Sequence, residues 1–232
     1  MIQTKTLKEA LKDPGVIEVV EELLPMQDIR NGVFIMYHRN QDGIPLIVEP
    51  NSWLSFQNKG EIADGVLLVE AGKMLVVAPT TSSSKLRWAS ADISGGGITT
   101  SDRLAALNDW KGKENTSLQI THSECQSIDF APGFCSLYSR NNANGVGLLK
   151  GSWWLPSMGE LMMIYSNMAK INYALGKING STLLTGNLYW SSTEYSSENA
   201  WGLSFTDGYT ESRYRKSSEI LGTVRPVSAF YR

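Results

Sequence analysis

Tyr189-Trp190-Ser191-Ser192-Thr193-Glu194-Tyr195 is followed by Asn199-Ala200-Trp201, by a turn at Asp207-Gly208, and by Val224-Arg225-Pro226-Val227. Upstream stands Trp153-Trp154-Leu155-Pro156-Ser157-Met158-Gly159-Glu160-Leu161. Large aromatic rings at Trp190 and Trp201 can anchor a loop-rich fold that lacks long strands. The hydroxyls of Ser191, Ser192 and Thr193 suit local backbone groups. Glu194 is placed to accept hydrogen bonds from backbone amides or to pair with Arg225. Residues 200–205 read as a strand, 206–208 as a tight turn and 209–215 as the returning strand, with 221–230 closing the sheet. Alternation puts Trp201, Leu203 and Phe205 on one face, with Gly202 and Ser204 on the other. The returning strand has no continuous apolar face: Tyr209, Glu211, Arg213 and Arg215 alternate with Thr210, Ser212 and Tyr214. That pattern suits a solvent-facing, presenting surface.

Working toward the N-terminus, Ser157-x-x-Glu160 after Pro156 is a capping box that opens a helix through Leu161, Ile164, Tyr165 and Met168. Residues 141–145 form a turn-rich loop. A helix is expected within 115–127, and Ser101-Asp102 caps another through Leu104, Ala105 and Leu107. Ser94-Gly95-Gly96-Gly97 is a loop without the strand-to-helix setting of a phosphate cradle. Two hairpin-like units precede it: Val33-Phe34-Ile35 leads to Leu46-Ile47-Val48, and Val66-Leu67-Leu68 leads to Leu75-Val76-Val77. They are either a diverged duplication or two ordinary hairpins of one sheet. The first 28 residues read as helical. Thr6-Leu7-Lys8-Glu9 is a capping box, Asp13-Pro14 restarts the helix, and Val16, Val19, Val20 and Leu23 make one apolar stripe. So short a stripe needs a surface to bury it, either the chain's own β-region or a partner.

The 232 residues are 42% hydrophobic and 19% charged, enough for a packed core and against wholesale disorder. With a net charge of −2 and no run of Lys or Arg, nucleic acid is an unexpected partner. No stretch approaches the ~20 apolar residues that span a bilayer, and no apolar signal region follows Met1. Membrane insertion is therefore not expected, and the chain reads as made in the cytoplasm. Cys125 and Cys135 lack zinc-ribbon or redox spacing and are open to a disulfide or to two buried thiols. Glu49-Pro50-Asn51 has the residues of a calcium-dependent sugar motif, but no acidic cluster supplies the 6–8 oxygens that calcium takes. His38 and His122 read as structural, since His122-Ser123-Glu124-Cys125 is adjacency rather than a triad. No catalytic residue, metal or cofactor is expected.

The ordered set of motifs resembles the C-type-lectin-like family of bacterial and phage proteins that includes targets of diversity-generating retroelements. It runs from the Gly65–Pro79 hairpin through Trp88, Trp110, Cys135 and Trp154-Leu155-Pro156 to Tyr-Trp-Ser-Ser, Ala-Trp and Val-Arg-Pro-Val. The resemblance covers 62–232 and implies an α+β, C-type-lectin-like domain with an N-terminal extension. On that reading 1–28 is a helical attachment or oligomerisation segment, 29–61 a β-hairpin extension and 62–232 the lectin-like domain. The implied function is non-enzymatic binding by a phage virion-associated fibre or host-attachment protein. A secreted or surface adhesin of a bacterium and a receptor-free virion decoration protein stand as alternatives. The ligand, a host-surface protein or glycan, is expected on Tyr195, Glu198, Asn199, Tyr209, Glu211, Arg213 and Tyr214. Other virion proteins and further copies of the chain are expected at 1–28. Trp154, Leu155, Leu161, Trp190, Trp201 and Val224 are expected to share one core.

Overall fold

The computed structural model describes residues 29–212, 214–219 and 221–230. The helical segment expected over 1–28 lies outside them, as does Arg213. Apolar runs at 33–37 and 66–69 form the middle of a five-stranded antiparallel sheet. Its strands are β1 (Gly32–His38), β2 (Pro45–Val48), β3 (Ala63–Glu70), β4 (Lys73–Val77) and β10 (Val227–Ser228), in the order β10-β4-β3-β1-β2. These runs are continuous rather than alternating because both faces of the sheet are covered. Ile35, Tyr37, Val66, Leu68, Leu75 and Val77 face one core, and Phe34, Met36, Leu67, Val69 and Val76 face another with Trp153 and Phe230. Both expected hairpins form, within this one sheet. β1 pairs with β3 from Gly32↔Val69 onward, so the hairpin at 29–61 and the hairpin of β3 and β4 share a continuous ladder.

Against the first face pack α5 (Met158–Ser166) and α6 (Met168–Leu175), through Met158, Leu161, Ile164, Ile171 and Leu175. The Ser157/Glu160 cap is present: the Glu160 carboxylate accepts the Ser157 amide at 2.8 Å. α1 (Trp53–Gln57) follows β2 and places Trp53 against Tyr37. α2 (Arg103–Leu107) is capped by Asp102, whose carboxylate accepts the amides of Leu104 and Ala105. The helix expected within 115–127 is two elements, α3 (Gly112–Gln119) and a 3-10 turn, Ser123–Cys125. α4 (Ala131–Leu137) leads to a short hairpin, β5 (Arg140–Asn141) and β6 (Gly147–Leu148). Among the described residues no helix is long and apolar enough to cross a membrane.

The C-terminal hairpin makes a second sheet, β7 (Leu188–Glu194), β8 (Ala200–Ser204) and β9 (Thr210–Glu211). Here two expectations need correction. The returning strand is not 209–215. It pairs only at Thr210 and Glu211, then spends one residue more than β8 before Arg215 bridges Asn199. Past that bridge Lys216 turns into the interior. And 221–230 meets this sheet, among the described residues, only at one bridge, Thr223 to Tyr189 of β7, while β10 joins β4 in the larger one.

The expected single core is also two. Trp154, Leu161 and Trp201 belong to the core under α5, whereas Leu155, Trp190 and Val224 join Trp88, Cys125 and Cys135 beneath the loops. The reason is strand alternation: Tyr189 and Trp190 are neighbours on β7 and so face opposite ways. Cys125 and Cys135 are free, buried thiols. Burial, with the nearby Glu194 charge, pushes the Cys125 thiol up to about 12, and burial pushes Cys135 well above its ordinary value.

Candidate functional site

Thr206-Asp207-Gly208 turns the hairpin with Gly208 at φ 75°. A side chain there would also run into Tyr165, 2.9 Å from the added carbon. At this end Tyr209 is 53% exposed. At the other end of β8, the loop from Tyr195 to Asn199 closes on itself, the Tyr195 amide donating to the Asn199 carbonyl at 2.9 Å. The Tyr195 ring, partly buried, meets Trp201 edge-on with centroids 5.3 Å apart. Tyr214 meets Trp190 in the same way at 6.4 Å.

Beneath this loop lies the charged centre of the fold. The Glu194 carboxylate accepts the amides of Gly95 (2.9 Å) and Gly97 (3.1 Å) and pairs with the Lys216 ammonium at 2.5 Å. Both side chains are fully enclosed. Lys216 also donates to the carbonyls of Ile93, Ser196 and Ser197, and sits 4.8 Å over the Trp88 ring. Burial pushes its pKa down, with Glu194 opposing. An added carbon on Gly95 would come 2.9 Å from the carboxylate, so a residue with no side chain is what lets Glu194 reach its amide. Glu194 therefore accepts backbone amides as expected but does not pair with Arg225. The Arg225 guanidinium instead donates to the carbonyls of Ala78 (3.0 Å) and Thr182 (2.6 Å), stitching the large sheet to the loop after α6.

The structure thus gathers Tyr195, Glu198 and Asn199 at one end of β8, where Arg215 bridges Asn199, and turns the Tyr214 ring to the other face of the sheet, against Trp190. It leaves Tyr209 at the other end, with Glu211 between them opposite Gly202. Glu198 and Tyr209 are exposed, and Tyr195, Asn199, Glu211 and Tyr214 are half-buried. Two neighbours belong to the gathered set although they were not among the expected residues. Arg215 pairs with Asp92 and reaches to 3.8 Å of Glu198. Asp92 in turn accepts the Ser217 hydroxyl at 2.7 Å. Burial raises the Asp92 carboxyl, but the Ser217 and Arg215 contacts outweigh it and hold the group below the usual range. Alternation along the expected strand placed Arg215 near the set, but Asp92 is over a hundred positions away and carried no signal.

A second buried hub sits where α3, α5 and β7 meet. Asp109 accepts the Asn115 amide nitrogen (2.8 Å), the Thr193 hydroxyl (2.7 Å) and the Lys111 amide (2.9 Å). Its carbonyl takes the Ser157 hydroxyl at 2.7 Å. Next to it, burial pushes Glu160 up to about 7 against the hydrogen bonds from Ser157 and Trp154. Below pH ~4.5 Glu160 is protonated whether folded or not. As pH rises from there toward 7 the unfolded chain ionises first, so the folded state loses stability, by about 3 kcal/mol in all. Urea titrations at pH 5 and pH 8 are expected to show this fall, and Glu160→Gln to flatten it. A wild-type protein equally stable at both values would contradict the assignment.

Among the described residues no group of three or more His, Cys, Asp or Glu is arranged to hold a metal ion. No protein-family model matches the chain, and no curated protein matches it. Among solved structures it is similar to a fimbrial protein from Bacteroides ovatus, at 21% identity and a TM-score of 0.46. The likeness covers 67% of this chain and 35% of that one, so the chain spans about a third of the fimbrial protein's length.

Proposed function

We propose that the chain is a non-enzymatic binding protein with a C-type-lectin-like domain, acting as a virion-associated host-attachment protein of a bacteriophage. The observation that carries this reading is the loop of Tyr195, Glu198 and Asn199, with Tyr214 packed on the opposite face of the same hairpin. It places aromatic and polar groups at the surface, directly above a sealed Glu194–Lys216 pair. Aromatic anchors beside adaptable polar groups are the composition of binding hot spots. A buried ion pair below them holds the loops in one geometry, which lowers the entropy lost on binding. Support for the lectin-like assignment comes from the motif residues themselves. Trp88, Trp154, Leu155, Trp190, Trp201, Val224 and Arg225 are all buried in the scaffold. Support for binding over catalysis comes from the groups whose pKa is displaced by burial: Glu160, Cys125, Cys135, Lys216 and Arg225 are enclosed in the scaffold, and Asp92, at the surface, is taken up by Arg215 and Ser217. The partner is a host-surface protein or glycan, and the segment 1–28 is assigned to attachment or to self-association.

The test is flow cytometry of fluorescently labelled full-length protein on cells of the bacterial host. Wild type should stain the cells. The triple variant Tyr195→Ala/Glu198→Ala/Tyr214→Ala should lose staining about tenfold or more, as for removal of central contacts, with a thermal midpoint within a few degrees of wild type. Full staining by the folded triple variant would remove this surface from the function.

A further inference from the structure

On elements that share no residue with the hairpin surface, Val33, Glu49, Pro50, Asn51, Ala169, Lys170 and Tyr173 line an open cleft of about 450 Å³. That volume is within the range of small-molecule sites. Its walls are the start of β1, the turn after β2 and one face of α6. Spacing of three puts Lys170 and Tyr173 on that same helix face, and Lys177 stands in the turn that follows α6. The Tyr173 ring is 52% exposed yet held at both ends: its hydroxyl bonds the Asn51 side-chain oxygen, and the Lys177 ammonium sits 4.9 Å over the ring. A fixed aromatic face left in water offers a platform for an apolar ring surface at little entropic cost.

The polar groups around it name the ligand class. The Asn51 amide both donates and accepts, and Glu49 accepts, which is the mixture a polyhydroxylated ring requires. Among the lining residues Glu49 is the one carboxylate, and Arg30 is paired with it. The Lys170 ammonium has a neutral contact, the Asn167 side-chain oxygen at 3.3 Å. Among the described residues here, Arg30 thus balances Glu49, and Lys170 in the lining with Lys177 over Tyr173 leaves a positive surplus, on a chain whose net charge is −2. A cationic rim favours a ligand bearing a carboxylate. We infer that this cleft binds an acidic saccharide without a metal ion, its ring stacked on Tyr173 and its carboxylate at Lys170.

The inference is tested on the full chain, 15N-labelled and titrated with methyl β-D-glucuronide and, separately, methyl β-D-glucoside. Saturable amide shifts are expected at 49–51 and 169–173, with the glucuronide bound about fivefold or more tighter than the glucoside, a margin of the size one charge contact supplies. Tyr173→Ala should weaken both sugars about tenfold or more, as for loss of an anchoring aromatic. Tyr173→Leu, which keeps apolar bulk, should do the same because the π face is gone. Lys170→Gln should abolish the preference for the acid while the glucoside still binds. The triple variant of the hairpin surface should leave all these shifts unchanged, which separates this site from the one proposed above. Absence of shifts at saturating glucuronide, undiminished binding by Tyr173→Ala, or tighter binding of an oligo-glutamate peptide to the same amides would each overturn it.

Discussion

Lys216→Met is expected to destabilise the protein by about 3–5 kcal/mol, the range for removing one partner of a buried ion pair. The ammonium is enclosed and holds four acceptors, the Glu194 carboxylate and the carbonyls of Ile93, Ser196 and Ser197. Methionine fills much of the volume but leaves a buried carboxylate with only its glycine amides, and three carbonyls without a donor. Urea denaturation at constant slope measures the loss. Glu194→Gln in the same background should recover part of it, because the amide carries no charge, although its single oxygen can accept from only one of Gly95 and Gly97, which bond different oxygens of the carboxylate. A double-mutant cycle is expected to show strong coupling between the two positions. Simple additivity would mean that the pair does not act as a unit.

The second large effect is expected at Trp201. Its ring is 4% exposed in the core under α5, and its indole nitrogen donates to the Thr100 carbonyl at 2.8 Å. Trp201→Ala should cost about 3–5 kcal/mol through the cavity, as for other buried aromatic truncations. It also removes the wall against which Tyr195 packs. The variant should therefore lose both stability and the binding assigned to the hairpin loop, whereas Trp201→Phe should retain most of the packing and lose chiefly the bond to Thr100. A thermal midpoint for Trp201→Ala within two or three degrees of wild type would contradict its place in the core.

What was legible in the sequence is what is local. Asp102 caps α2 and Ser157 with Glu160 caps α5 because those bonds span two or three residues, so spacing alone reveals them. The strands at 33–37 and 66–69 announce themselves as apolar runs, and their pairing into hairpins comes from short turns. Lys216 was illegible for the opposite reason. It stands in Arg215-Lys216-Ser217-Ser218, a tract that composition assigns to solvent, and only contact with Glu194 makes its burial tolerable. The returning strand was over-long because alternation counted on past Glu211, where its pairing ends. Asp109 carries no signal in Asn108-Asp109-Trp110, yet it is a hub because Thr193 and Ser157 converge on it from distant segments. Among the expected surface residues, Tyr195 and Glu198 share a short loop and so stay together. Tyr209 is separated from them by the length of β8, a distance that a list of polar and aromatic residues does not encode.

The Gly95 and Gly97 amides gathered on one carboxylate have a consequence for how this chain tolerates variation. Many proteins turn paired backbone amides of this kind outward to seize a phosphate. Here the anion is covalently part of the chain, and its counterion comes from the far side of the hairpin. The loops at 93–97, 195–199 and 215–217 are thereby locked to each other from within, by groups that no outside molecule touches. Of the exposed positions, Tyr209 lies at the far end of β8 from that lock, and Glu198 joins it through its backbone, the carbonyl accepting the Lys216 amide at 2.9 Å. Side-chain changes at Glu198 and Tyr209 leave the Glu194–Lys216 contacts in place, so the surface can vary while the interior that fixes these loops does not.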